Sequence, residues 1–250
     1  MIDGAAWLAE VARRHLDERG APVVMGIAGA VSVGKSTFAE SVAAELVAGG
    51  ATADVVTTDG FLFPNAVLSQ RGLLMHKGFP DSYDVDALRT FVDSVRARTP
   101  DVGVPEYSHD TYDVVAGSHR LLGALDVVVI EGVNVLAALD GRLDVAVYLD
   151  AEEHDLETWY VTRFQALCAA AAHEPHSFYG QFARMSTDEI RSLAMRTWND
   201  INLVNLRDFI APSRALAHYV VVKQPDHSIR RIEVRDDAAA AEGEGQRRGV

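Results

Sequence analysis

Along the chain, apolar positions switch between helical spacing and short unbroken runs. Ala5, Leu8, Val11 and Leu16 recur at roughly helical spacing with charge between them, which predicts an amphipathic helix over 4–18 that stops near Gly20 and Pro22. VVMGIAG (23–29) is a short apolar run that breaks into glycines, the form of a buried parallel strand. A second helix is predicted over 35–48, halted by Gly49-Gly50, and a second strand over 54–58 that ends in Asp59-Gly60. Val85, Leu88, Phe91, Val92 and Val95 mark one face of a helix over 84–98. LDVVVIE (125–131) and LDVAVYL (143–149) read as two further strands, and a helix over 152–172 follows them. Ser186-x-x-Glu189 is a capping-box pattern that opens a helix running to about Ile201. Two short strands, 218–223 and 228–234, come after Pro212. The stretch 61–83 has glycine, proline and aromatics without a clean period and reads as a long functional loop, while 102–115 reads as short extended segments.

Strands alternating with helices predict an α/β fold, a three-layer sandwich with a mostly parallel sheet. No internal repeat or linker divides the chain, so residues 1–235 are expected to form a single domain. The last stretch, DDAAAAEGEGQRRGV (236–250), has few bulky apolar residues and is expected to be a disordered tail. A 48% hydrophobic composition is ample for a packed core. The formal net charge of -13 argues against wrapping nucleic acid or docking on an anionic membrane, yet a local nest of amides can still hold an anion. Cys168 is the sole cysteine, which excludes an intramolecular disulfide. The first twenty residues carry Asp3 and Glu10 among the apolar positions and contain no run suited to a signal peptide or membrane span. A cytoplasmic location is the expectation.

The chemistry concentrates where the first strand meets the second helix. Gly29, Ala30, Val31, Ser32, Val33, Gly34, Lys35 and Ser36, with Thr37 next, fit the phosphate-binding pattern G-x-x-x-x-G-K-[ST]. Glycines let backbone N–H groups turn inward around a phosphate, Lys35 supplies a mobile cation, and the Ser36 hydroxyl suits Mg²⁺. A helix beginning near Lys35 adds the positive end of its dipole. This P-loop alone does not separate a kinase from a switch GTPase or a motor ATPase. Asp59, at the carboxyl edge of the second strand, is placed to accept a proton from an attacking hydroxyl, or simply to make a turn with Gly60. Glu131 ends the most apolar strand and is followed by Gly132, as an acid holding Mg²⁺ directly or through water would be. No Asn/Thr-Lys-x-Asp guanine-reading motif is present, which favours ATP.

Eight segments resemble, in order, those of type I (bacterial) pantothenate kinases: GIAGAVSVGKST, VVTTDGFLFPN, HKGFPDSYD, VPEYSHDTYDVV, VVVIEGVNVL, LETWYVTRF, WNDINLVNL and VKQPDHSIRRIEVR. They span about residues 23–235. The wider P-loop superfamily, with uridine kinases and phosphoribulokinases, shares the first segment but not most of the rest. The resemblance implies transfer of the γ-phosphate of ATP to a small-molecule alcohol, pantothenate first; the alternatives are a kinase of a different alcohol, such as a nucleoside, sugar or specialised metabolite, and a nucleotide-binding sensor with little turnover. It also implies that Asp59 is the catalytic base and that Lys35 and Arg163 stabilise the transferring phosphoryl group. Tyr107, His109, Tyr160 and Asn202 would hold pantothenate, and Lys223 and His227 would pack by the adenine. Read without the resemblance, Tyr160, Arg163, Phe164 and Leu167 simply share one helix face, His109 is a loop histidine and Asn202 a capping residue. A homodimer is a further implication of the resemblance.

Three departures from the family pattern carry expectations of their own. About 22 residues precede the P-loop strand where the family carries a longer segment that helps enclose the adenine. GKSTFAE stands where GKSTTAR is usual, so Glu40 replaces an arginine associated with feedback inhibition by coenzyme A; weak or absent feedback is expected. The stretch from Leu167 to Ala172 has small side chains where the family has aromatics, and aromatics return only at Phe178, Tyr179 and Phe182, which predicts a reshaped pocket.

Overall fold

VVMGIAG folds as β1 (Val23–Gly29), with every residue buried, at the centre of a six-stranded sheet. The computed structural model describes residues 3–171 and 177–235. The other strands of this sheet are β2 (Ala53–Thr57), β5 (Val127–Glu131), β6 (Val145–Asp150), β7 (Tyr219–Lys223) and β8 (Ile229–Val234). Their order is β2-β5-β1-β6-β7-β8; the first five run parallel and β8 pairs antiparallel with β7. β5 and β6 lie on opposite sides of β1, so the strand order reverses there, and a crevice opens at its carboxyl end. β5 is buried throughout, as an unbroken Val/Ile run between two parallel neighbours requires. A separate antiparallel hairpin, β3 (Val102–Ser108) with β4 (Asp113–Leu122), stands beside the turn after β2.

The helices in chain order are α1 (Gly4–Arg19), α2 (Lys35–Ala48), α3 (Asn65–Gln70), α4 (Val85–Arg96), α5 (Val135–Ala138), α6 (Glu153–Ala170), α7 (Thr187–Thr197) and α8 (Leu203–Asn205). Helices cover both faces of the sheet. α1 is capped by Asp3 at its start and by left-handed Gly20 at its end, and packs on α2. Both halves of the predicted Ser186/Glu189 capping box form. At the amino edge of the sheet, buried Asp144 accepts from Val24 N (2.8 Å) and pairs with Arg96 (3.0 Å) and Arg19.

Three segments differ from their sequence expectation. The predicted loop 61–83 contains α3 and tight helical turns at Leu74–His76 and Pro80–Ser82, tied down by tertiary hydrogen bonds rather than by any apolar period. The extended pieces expected over 102–115 belong to a longer hairpin that reaches Leu122. The helix expected to end near Ile201 continues through two π-helical stretches, Trp198–Asn202 and Leu206–Ile210, with α8 between them. A widened turn throws the apolar residues out of the 3.6 period, so the pattern breaks where the helix does not. The expected tail 236–250 and Ala172 lie outside the described residues. No helix among the described residues is long and apolar enough to cross a membrane.

Candidate active site

The P-loop leaves β1 and enters α2 through two left-handed residues, Ser32 (φ 63°) and Gly34 (φ 88°). This alternation aims successive backbone N–H groups into one concavity. Ser32 holds a conformation that strains a side-chain-bearing residue, and its Oγ is buried with no partner among the described residues. A Cβ on Gly34 would lie 2.9 Å from Lys223 Nζ, so glycine serves both the turn and the close approach. Lys35 is buried, and its ammonium donates to Ala30 O (2.9 Å), folded back over the loop it serves. Burial lowers its pKa, while Glu131 and Asp59 pull it upward. With the amino end of α2 behind it, the concavity fits a polyphosphate.

Two carboxylates face that cradle. Ser36 Oγ donates to Glu131 Oε1 (3.0 Å), and Glu131 is buried at the carboxyl end of β5. Burial raises the Glu131 pKa against the pull of Lys35. This hydroxyl–carboxylate pair fits Mg²⁺, which takes one or two protein oxygens and completes its shell with water and phosphate oxygens. Among the described residues no cluster of three or more acidic, histidine or cysteine side chains is placed to hold a metal on its own. Asp59 sits on the tight turn Thr58–Phe61 just past β2, where its N–H donates to Thr57 Oγ1 (3.3 Å). Burial raises its pKa, and Lys35, His109, Lys77 and Arg163 draw it back. The residue thus lies among four cationic or titratable bases.

Behind Asp59 the packing is tight. Thr58 is fully buried and fills the space over Gly132, where a Cβ would come within 2.8 Å of both its Cβ and Cγ2. The Tyr83 hydroxyl is buried close enough to feel the Thr58 hydroxyl, though Thr58 Oγ1 has no partner of good hydrogen-bond geometry.

The outer wall of the crevice is aromatic. Tyr107 and Tyr112 come from the hairpin, with His109 edge-on to Tyr107 at 5.2 Å. Lys77 Nζ lies 4.4 and 4.9 Å over the Tyr112 and Tyr107 rings and donates to Asn65 Oδ1 (2.7 Å) and to the Tyr112 carbonyl. Burial lowers its pKa to about 8, with Asp113 and Asp59 opposing. On α6, Tyr160 packs toward Trp198 (5.8 Å), and its hydroxyl faces Asn202 and Thr197; Asn202 Nδ2 is itself buried without a partner of hydrogen-bond geometry. Arg163 is exposed on the same helix, and its charge reaches Lys35, Asp59 and Tyr179.

Small residues at Cys168 and beyond do not leave this wall open. Phe178 stacks on Tyr112 (4.4 Å) and its N–H donates to Asp110 O (2.6 Å), while Tyr179 and Phe182 both pack on Phe164 at 5.8 Å. The aromatics absent from the helix return from the segment after it.

On the other side of the P-loop, His227 (φ 65°) stacks on Trp159 at 3.9 Å, and Trp159 Nε1 donates to Pro225 O (3.1 Å). Lys223 is not beside this stack alone: its ammonium donates to Val33 O (2.8 Å) and braces the P-loop from behind. Burial and Lys35 lower its pKa to about 8. Lys35, Ser36, Asp59, Glu131 and, through its charge, Arg163 are therefore gathered at one edge of the sheet. Tyr107 and His109 share the crevice wall with Lys77, Tyr160 and Asn202 share the far side, and Lys223 and His227 flank the cradle. Lys77, Tyr112 and Thr58 went unassigned from the sequence. The one signal for Lys77 was its place within HKGFPDSYD, a segment with glycine, proline and aromatics but no period.

A P-loop cradle, an acid on the turn after the second strand and an enclosed aromatic crevice define the molecule as a P-loop kinase. No protein-family model matches the chain. It is similar to a D-glycerate 3-kinase from Cryptococcus neoformans var. grubii in fold, with TM-score 0.65 and 13% identity over 94% of this chain and all (100%) of that one. It is 44% identical over 224 residues to the pantothenate kinase of Sorangium cellulosum, covering 86% of this chain and 73% of that one. It is 43% identical over 229 residues to the pantothenate kinase of Cutibacterium acnes, covering 86% and 70% respectively. The chain belongs to the pantothenate kinase family.

Proposed function

We propose that the chain transfers the γ-phosphate of ATP to the primary hydroxyl of pantothenate, giving 4′-phosphopantothenate and ADP. The observation that carries the reading is the position of Asp59, a carboxylate of raised pKa that shares its surroundings with Lys35 of the P-loop and Lys77 of the aromatic crevice. An acceptor hydroxyl held between these groups meets a base on one side and the phosphate cradle on the other.

In this reading Asp59 takes the proton of the hydroxyl as its oxygen bonds to the γ-phosphorus and the bond to the β–γ bridging oxygen breaks. A raised pKa makes Asp59 a stronger base than an exposed aspartate. Lys35 and Arg163 offset the charge that builds on the transferring group. Ser36 and Glu131 would hold Mg²⁺, which would supply further charge compensation at the phosphates. Tyr107, His109, Tyr160 and Asn202 line the acceptor side, and Lys223 and His227 border the nucleotide side. The return of Phe178, Tyr179 and Phe182 supports a closed pocket for an acceptor of this size over a wide-open one.

The test is ADP release in a coupled assay with ATP and Mg²⁺, offering pantothenate beside nucleosides, sugars and small alcohols. Turnover with pantothenate that collapses in Asp59→Asn supports both the acceptor and the base. Silence with pantothenate, with Asp59-dependent turnover on another alcohol, overturns the acceptor and leaves the chemistry.

A further inference from the structure

α8 is a single helical turn set between two π-helical stretches, and it ends in Asn205, a buried asparagine. Its Nδ2 donates to Gly78 O at 2.9 Å, across 127 residues of sequence, and its Oδ1 is buried with no partner among the described residues. Keeping a half-satisfied amide in the interior is unfavourable, so the position needs a compensating reason. The segment it grips supplies one.

Gly78 directly follows Lys77. The peptide is held from its other side as well: Gly78 N donates to Ser82 Oγ (2.9 Å), and Ser82, itself buried, donates to Phe79 O (2.6 Å). Phe79 then packs against Phe209, in the second π-helical stretch, at 5.7 Å. With backbone fixed at this one place, the Lys77 side chain crosses the crevice to Asn65 and the Tyr112 carbonyl. Three residues before Asn205 on the same helical run, Asn202 faces the Tyr160 hydroxyl. One run of helix thus touches both walls of the crevice.

We infer that Asn205 is a positioning residue for the kinase reaction, holding the Gly78 carbonyl so that the Lys77 ammonium stays over the tyrosines and beside Asp59. The inference rests on the proposed reaction for its catalytic consequence, but the placement of Lys77 does not depend on which alcohol is bound.

The groups facing Lys77 are Asp59 from the turn after β2, Asp113 from β4, Tyr107 from β3 and Tyr112 from the hairpin turn. In the intact protein its titration midpoint should lie at about 8, well below an exposed lysine. The experiment follows the Lys77 side chain by NMR in ¹³C-lysine-labelled protein. The chain has few lysines, so Lys77→Met assigns the signal by difference. Asn205→Leu and the near-isosteric Asn205→Asp should move the midpoint toward the ordinary lysine range while circular dichroism and the melting transition remain cooperative. A midpoint unchanged in a folded variant overturns the inference, whatever the enzyme phosphorylates.

Turnover gives the second reading. Each Asn205 variant should lose about tenfold or more in kcat, and the loss should vanish when Lys77→Met is already present, because the two act through one group. Losses that multiply in the double variant overturn the inference, leaving Asn205 as packing alone. Wild-type protein that turns over some other alcohol and not pantothenate sinks the proposed acceptor instead, and the cycle is then run on that alcohol.

Discussion

Gly132 separates Glu131 from the rest of its segment, and its missing side chain is what lets Thr58 pack behind Asp59. In Gly132→Ala the added methyl would overlap Thr58 Oγ1 and sit 2.8 Å from both Cβ and Cγ2 of a residue that is 0% exposed. Thr58 has no solvent-side space to rotate into, so either β5 or the turn Thr58–Phe61 must move. Overpacking of this kind costs about 1–3 kcal/mol. For a domain of this size that lowers Tm by roughly 2–12 °C, since each kcal/mol is worth about 2–4 °C. The activity loss should exceed what stability explains at assay temperature, because the shift separates Asp59 from Glu131; displacement on the order of 1 Å can remove about a hundredfold in rate. Thermal unfolding and steady-state ADP release on the same preparations measure both effects. Thr58→Ala removes Oγ1 and Cγ2, so the double variant Gly132→Ala/Thr58→Ala should regain part of the lost stability beyond additivity. A Gly132→Ala protein that melts and turns over like wild type would refute the packing argument, and so would a Thr58→Ala background that gives no rescue.

Asp59→Asn should cut kcat by roughly 10²–10⁴ and at the same time stabilise the fold at neutral pH. The native pKa of Asp59 is raised, so the folded state binds more protons than the unfolded one between the ordinary aspartate value and the raised one. Its charge therefore opposes folding above that window and contributes nothing below it. The gain in Tm should be largest above the raised value and fade as pH falls through it toward the ordinary aspartate range of about 4; a gain that persists at pH 3 would contradict the burial argument. Ser36→Ala removes the hydroxyl paired with Glu131, and the Mg²⁺ needed for half-maximal rate should rise by at least about tenfold, read from a Mg²⁺ titration at fixed ATP. Glu40 is exposed on α2, so coenzyme A should inhibit weakly at most; sub-micromolar inhibition competitive with ATP would reverse that reading.

Elements whose residues obey one period were readable from the chain. β1, β5 and α4 bury unbroken runs or one clear face, and they form within two residues of their expected bounds. The P-loop was readable because its chemistry demands particular residue types at fixed spacing. Asp59 and Glu131 were findable as acids at strand ends, although Asp59 lies past the strand, on a tight turn. Lys77, Asn205 and Thr58 were not findable in this way. Each acts through a partner far away in sequence: Lys77 through Asn65 and the hairpin, Asn205 through Gly78, Thr58 through Gly132. No local pattern encodes such a meeting. The π-helical stretches concealed the continuation past Ile201 for a related reason, since inserting one residue per turn erases the period that marks a helix.

α1 is completed by the far end of the chain. Trp7 meets Tyr219 edge-on at 5.1 Å, and Gly4 lies against Ile229 and Ile232, so the first helix docks on β7 and β8. On a ribosome, about two hundred residues separate the synthesis of the helix from that of its seat, a wait of roughly 10–40 s at about 5–20 residues per second. Through that interval Trp7 and Gly4 lack the strands they pack on. Over that stretch of synthesis α1 keeps an unfinished apolar face, and the yield in a cell should depend on translation speed and chaperone supply more than the stability of the finished fold would suggest.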